Sequence, residues 1–298
     1  MIRICYARAV SRKSPRIKPT ISIVGPGNLG SALATTLREA GYSVSAIAVR
    51  QGSKKASQAQ ALARKIGAKL VRIGSQPFDS DIVWLTVPDD DIATVAHEMA
   101  KSGDWRRKIV FHSSGALTSD ELAPLRAKGA RVASVHPMMT FVRGEVPQMA
   151  GVAFAVEGDT AAIRAAKAIV EELGGTPFVI KKENKVHYHI FGSFASPLVI
   201  ALMATMEEVA LAAGISRNEI KRVMEPLLWQ TLRNYLKHDA GSAFSGPLAR
   251  GDVATIKKHL NALQGMTQVR EVYAALARAA VKNLPVRNRA SIARELKS

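Results

Sequence analysis

The sequence predicts an α/β fold: a Rossmann-type doubly wound parallel sheet followed by an all-helical C-terminal domain. Three observations predict it. A short apolar run, Ile21–Val24, leads into the glycine-rich turn Gly25-Pro26-Gly27-Asn28-Leu29-Gly30, and then Leu29, Leu33 and Leu37 recur at i, i+4 and i+8, the spacing of a helix face. Strand-like runs alternate with helical stretches as far as about Lys182, the pattern of repeated βαβ units. Beyond that point strand-like runs disappear and helix formers dominate.

After the first strand, Val44–Val49 reads as a strand, and Ile82–Val87 is continuously apolar, as in a parallel strand covered on both faces. Ile109–Phe111, Val132–Val135, Val152–Val156 and Phe178–Ile180 are further strands, with helices over 55–65, 90–101, 119–127 and 160–173. Helices then cover 185–213, 217–238, 252–264 and 266–283, with breaks at Gly214, around Gly241–Pro247 and at Gly265. This divides the chain into a basic, disordered extension (1–19), a dinucleotide-binding domain (20–182) and a helical substrate and dimerisation domain (183–298). The long apolar helix opening the last domain is expected to be central or to lie at a subunit interface. The final stretch sets Lys282, Arg287, Arg289, Arg294 and Lys297 against Glu295 alone and reads as a solvated tail.

Composition narrows the class. With 298 residues, 47% hydrophobic and 22% charged, the chain can bury a core and is not disordered throughout. The single cysteine, Cys5, excludes an internal disulfide and a cysteine metal site. The net charge of +18 includes six basic groups and no acid in residues 1–19. Such a charge invites a nucleic-acid reading, but no recognised binding module accompanies it, and attraction for anionic ligands is the expectation. The leading segment resembles a transit peptide in composition and has no apolar run long enough for a secretory signal. The uncharged run Ile190 to Met206 spans 17 residues and contains Gly192 and Pro197, which suits a helix inside protein rather than lipid. A cytoplasmic protein is expected.

The GxGxxG turn follows a strand and opens a helix, the context that gives the motif meaning. Gly25 permits the tight turn, Gly27 lets backbone approach a phosphate, and Gly30 allows close helix–strand packing, while the helix N-terminus offers unpaired N–H groups to the anion. Asn28 and Leu29 belong to the same turn. A merely tight βα turn is the alternative. For NAD, an acidic residue is usual at the end of the second strand. Here Arg50 stands 20 positions after Gly30, followed by Ser53, Lys54 and Lys55. A guanidinium there can pair with a 2′-phosphate, so NADP is favoured over NAD. Val87 and Pro88 end a strand where a cofactor should lie, and Asp89, Asp90 and Asp91 are expected to cap the following helix.

These segments, together with His112-Ser113-Ser114-Gly115-Ala116-Leu117, Ser134-Val135-His136-Pro137-Met138-Met139-Thr140-Phe141 and Gly246-Pro247-Leu248-Ala249-Arg250-Gly251-Asp252, carry a resemblance. From Thr20 to about Leu276 the chain resembles the uncharacterised Rossmann-like oxidoreductases with a C-terminal domain of unknown function 2520. These are similar in turn to pyrroline-5-carboxylate reductase and to 6-phosphogluconate and β-hydroxyacid dehydrogenases. The resemblance implies an NADP-type cofactor, a helical second domain and homodimers, and supplies no substrate. Pro197 stands where such proteins often have Asn, and a proline inside the helix is expected to kink it.

Lys185, His189, Ser193 and Ser196, at spacings of 4, 4 and 3, form one polar stripe on an apolar helix and are candidates for lining a cavity. β-Hydroxyacid dehydrogenases resemble this layout, with a catalytic Lys and an Asn four residues apart; His189 replaces the Asn. A helix turn meeting solvent is the plainer reading of Lys185 and His189. His136, at the carboxyl end of a strand, is a second proton-transfer candidate and equally a structural histidine. Ser113 and Ser114 follow a strand where the nicotinamide should rest. Arg250 is a candidate clamp for an anionic substrate, with Asp252 as a helix N-cap. His187 and His189 are two apart and point different ways on a helix, so no metal site is expected. The expected function is NADP-dependent hydride transfer to or from a small carbonyl, imine or hydroxy acid; the alternative is a non-catalytic NADP(H)-binding sensor or scaffold.

Overall fold

The computed structural model describes residues 18–142 and 144–297; the expected basic extension lies, up to residue 17, outside the described residues. Six strands, β1 (Ile21–Val24), β2 (Val44–Val49), β3 (Lys69–Arg72), β4 (Ile82–Leu85), β5 (Ile109–His112) and β6 (Arg131–Pro137), run parallel in the order β3-β2-β1-β4-β5-β6. β7 (Ala153–Gly158) adds antiparallel to β6, and β8 (Thr176–Val179) parallel to β7. Helices α1 (Asn28–Glu39), α2 (Ala56–Ile66), α3 (Asp89–Ala100), α4 (Ala123–Ala127) and α5 (Thr160–Glu172) lie between strands. The order reverses between β1 and β4, and in open α/β sheets ligands bind beyond the carboxyl ends of the strands at such a point.

The continuous apolar runs of β1 and β4 are buried at every position because two cores cover the two faces. One gathers Ile21, Ile23, Leu33, Leu37, Trp84 and Phe111; the other gathers Val24, Val83, Leu85, Val95 and Met99. β3 is the strand missing from the sequence reading. It lies at the sheet edge with Lys69 exposed and only Val71 buried, so it carries little apolar signal.

The chain divides into two compact units, the first ending at Ser193 and the second running from Phe194. The first unit extends past residue 182 because α6 (Lys185–Ala195) buries Lys185 and Tyr188. In the second unit, α7 (Pro197–Ala212), α8 (Arg217–Lys237), α9 (Ala240–Ala243), α10 (Pro247–Arg250), α11 (Val253–Ala262), α12 (Thr267–Asn283) and α13 (Arg289–Glu295) follow. Two expectations need correction. The helix over 185–213 is interrupted at Ser196 (φ −133°, ψ −80°), and Pro197 opens α7 at its first position, where a missing N–H costs nothing, rather than kinking a helix interior. The closing basic stretch is not a plain solvated tail: Ile292 and Leu296, four apart, are buried in the core formed with Ile256, Leu260 and Ala277.

Candidate active site

Around the glycine turn each predicted role has a geometric cause. Gly25 has φ +97°, and a Cβ there would lie 2.9 Å from Val87 Cγ1 and 3.0 Å from the Thr86 carbonyl oxygen. A Cβ on Gly30 would stand 2.1 Å from the Gly25 carbonyl oxygen and 2.4 Å from Thr86 Oγ1, so α1 touches β1 and β4 only because that residue is glycine. At Gly27 the nearest atoms would be 3.9–4.0 Å away, one of them Lys55 Nζ; the space in front of α1 is open. α1 begins at Asn28 with no side-chain cap and no acid in its first turn, leaving its amides free for an anion. Asn28 instead spends its side-chain amide on the Phe141 carbonyl, 3.0 Å away, and Leu29 packs on the core. A cavity of 290 Å³ beside the turn is lined by Gly25, Gly27, Arg50, Lys55, Val87 and Pro88 among others. These residues fit a dinucleotide, whose phosphates the turn and Lys55 would hold.

Arg50 lines this cavity, but its guanidinium is engaged, with Nη2 2.9 Å from Glu98 Oε1 and Nη1 3.4 Å from Asp91 Oδ1. The aspartates at the start of α3 do not cap it, since Pro88 is the N-cap and no side chain bonds the first amides. They occupy the first turn, where carboxylates suit the dipole, and two of them serve other partners.

A second constellation forms where β5 and β6 end. Ser113 accepts from Trp84 Nε1 at 2.8 Å. Ser114 donates to Asp89 Oδ2 at 2.7 Å and accepts from the amides of Ala116 and Leu117. The Ser114 hydroxyl is therefore fully engaged, and Ser113 is held by Trp84 on β4. His112, fully buried, accepts from the Ser114 amide at Nδ1 and donates from Nε2 to the Thr118 carbonyl. Burial, reinforced by the Lys185 charge, pushes it down to about 4.

Gly115 lies between two imidazoles: a Cβ there would stand 2.7 Å from His189 Cδ2 and 2.9 Å from His136 Nε2. The rings of His136 and His189 meet edge to face, 6.3 Å between centroids. His136 Nδ1 is 2.8 Å from the Tyr188 hydroxyl, a partner that periodicity on α6 alone could not reveal. Burial, with Lys185 and His189 adding to it, lowers His136 to about 4, and burial raises Tyr188 to about 12. His136 is thus a neutral imidazole at pH 7, held at one nitrogen.

Lys185 is 1% exposed and donates to the Ser114 carbonyl (2.9 Å) and Ser134 Oγ (2.5 Å). Burial brings it down to about 8, opposed by Glu157 and Asp89. The first turn of α6 faces the sheet rather than an open cleft, so Lys185 ties β5 and β6 together. Of the predicted stripe, Lys185 and His189 lie at this constellation. Ser193 returns its hydroxyl to the His189 carbonyl, and Ser196 sits in the helix break. Arg250 closes α10 in the second unit and is exposed. Asp252 caps α11 as predicted, accepting from the Thr255 amide at 3.0 Å.

His112, buried, and His136, half-buried, have a consequence for stability. Their folded values lie below the ordinary 6.5, so between about pH 6.5 and 4 the unfolded chain binds more protons and stability falls on acidification. Each contributes about 1.4 kcal/mol per pH unit across that window. Two histidine ring resonances are expected to stay in their neutral positions down to pH 5 in an NMR titration; seven resonances all moving near pH 6.5 would contradict this.

A parallel sheet that reverses its order behind a glycine-rich βα turn defines a Rossmann-like fold. Residues 8–137 match a Rossmann-like domain, and residues 152–280 match the Domain of unknown function (DUF2520). The chain thus carries a match to each of these two domain models, one after the other. Among solved structures it is similar to BF3122 from Bacteroides fragilis, a candidate NADP oxidoreductase (TM-score 0.72, 20% identity, covering 88% of this chain and 97% of that one). It is also similar to protein TM1727 from Thermotoga maritima (0.67, 25%, covering 87% and 96%). A third likeness is to a reductive aminase from Aspergillus terreus, in complex with NADPH and ethyl-5-oxohexanoate (0.66, 16%, covering 93% and 99%). No curated protein matches the sequence.

Proposed function

We propose that the chain is an NADP-dependent oxidoreductase acting on a small, anionic carbonyl, imine or hydroxy-acid substrate, and that it works as a homodimer. The observation that carries the catalytic reading is the imidazole pair of His136 and His189 closed around Gly115, on the same carboxyl edge of the sheet as the glycine turn. When bound, the nicotinamide nucleotide supplies or accepts the hydride. The chain's own residues then hold a proton: Tyr188 fixes Nδ1 of His136, leaving Nε2 to pass a proton to or from the reacting oxygen or nitrogen, with His189 beside it. Lys185 keeps the Ser114 turn in place. Arg50, Ser53, Lys54 and Lys55 around one cavity support NADP as the cofactor. Proteins of similar fold bound to NADPH, NADP and NAD+ support a nicotinamide dinucleotide as the cofactor class.

A turnover screen with NADPH against keto acids, imines and aldehydes tests the reading. Nucleotide binding with no turnover of any class would leave the sensor or scaffold instead.

The dimer is supported by apolar surface in the second unit. α7 buries no residue, and α8 exposes Leu227, Trp229, Leu232 and Tyr235. Between the two helices lies an apolar hollow of 600 Å³ lined by Met203, Met224 and Leu228 among others. A second copy is the proposed cover. The segment 182–212 is apolar enough to cross a membrane by length and composition, but the break at Ser196 divides it. Light scattering in detergent-free buffer is expected to give twice the 32.0 kDa chain mass, and Trp229→Asp with Leu232→Glu to give monomers. A wild-type monomer, or a wild type that needs detergent to stay dispersed, would overturn the assignment.

A further inference from the structure

We infer that Glu98 and Asp91 set how strongly the cleft discriminates NADP from NAD, by competing with a 2′-phosphate for the Arg50 guanidinium. The inference rests on the NADP reading above and adds the device that tunes it.

Arg50 follows β2 directly and borders two hollows. One is the glycine-turn cavity; the other, of 360 Å³, is bounded by Gln51, Gly74, Glu98 and Lys101 among others. Its two terminal nitrogens are taken by carboxylates at 2.9 Å and 3.4 Å. Those carboxylates sit seven residues apart on α3, two turns along one face. Asp91 lines the glycine-turn cavity and Glu98 the neighbouring hollow, so Glu98 draws the fork away from the place a nucleotide ribose would occupy. A guanidinium recognises phosphate best with two parallel N–H groups, and here each terminal nitrogen already directs one of its N–H groups to a carboxylate, so a phosphate must compete with those acids for the fork's charge and orientation. The same two acids also repel a phosphate dianion arriving beside them.

The neighbouring lysines are placed differently. Neither Lys54 nor Lys55 forms an ion pair among the described residues. Lys55 Nζ lies 4.0 Å from where a Cβ on Gly27 would be, in front of the turn that holds the diphosphate common to both nucleotides. The division of labour follows. Lys55 attracts either cofactor, while Arg50 adds discrimination between them at a strength set by its acidic partners.

The test is a fluorescence titration of the full chain with NADPH and with NADH at fixed ionic strength. The proteins compared are wild type, Glu98→Gln, Arg50→Met and the double variant. Glu98→Gln is expected to tighten NADPH about fivefold, the upper scale for a half-exposed ion pair, and to leave NADH unchanged. Arg50→Met is expected to erase that gain in the double variant. Equal tightening of both nucleotides, an unchanged NADPH:NADH ratio, or a gain that survives Arg50→Met would each overturn the inference while leaving the NADP reading intact. A wild type that binds NADH at least as tightly as NADPH, or neither, removes the NADP reading and the inference with it.

Discussion

Gly30→Ala is expected to abolish nicotinamide-nucleotide binding and to destabilise the fold. The added methyl would meet the Gly25 carbonyl at 2.1 Å and Thr86 Oγ1 at 2.4 Å, and neither neighbour can yield. The first is backbone, and the second is held to that same carbonyl by a 2.7 Å hydrogen bond. Helix α1 must therefore withdraw from β1 and open the turn. Overpacking of this kind costs about 1–3 kcal/mol or more, and calorimetric affinity for NADPH should fall by at least about a hundredfold, some 2.7 kcal/mol. Gly27→Ala separates the two effects. Its methyl finds no protein atom closer than 3.9 Å, so it should melt like wild type and lose affinity only through the space the phosphates need. Wild-type binding by Gly30→Ala would show that the turn is not the nucleotide site.

His136→Ala is expected to reduce turnover about a hundredfold while NADPH still binds, the usual scale for losing a positioned proton-transfer group. His189→Ala should have an effect of the same order. Tyr188→Phe should be milder and should displace the pH–rate profile, because it removes the partner of His136 Nδ1 without removing the ring. Full activity in both histidine variants would take the pair out of the mechanism.

Much of this was legible in the residues because local chemistry dictated it. The glycine turn could be read position by position, since Gly25 and Gly30 each answer a contact that a Cβ would violate, and Gly27 keeps the space in front of the helix open. The buried parallel strands announced themselves by unbroken apolar runs. What stayed hidden depended on partners distant in sequence. The spacing of Lys185, His189 and Ser193 defined a helix face but not what lay opposite it. Only the sheet shows that Lys185 meets Ser114 and Ser134 rather than an open cavity. The capture of Arg50 by Glu98 joins residues 48 positions apart, and Tyr188 finds His136 across 52. Edge strand β3 and helix α13 escaped notice for the opposite reason. Their charged residues masked a few apolar anchors, Val71 in one and Ile292 in the other.

The Trp84 indole, fully buried edge-on to Phe111 and bonded through Nε1 to Ser113, gives the protein an internal optical probe. Trp105 is buried too, whereas Trp229 stands 53% exposed, so two chromophores emit from the interior and one from the surface. Events at the serine turn and events on the outer helices would thus register in separate parts of one emission spectrum, with no dye attached.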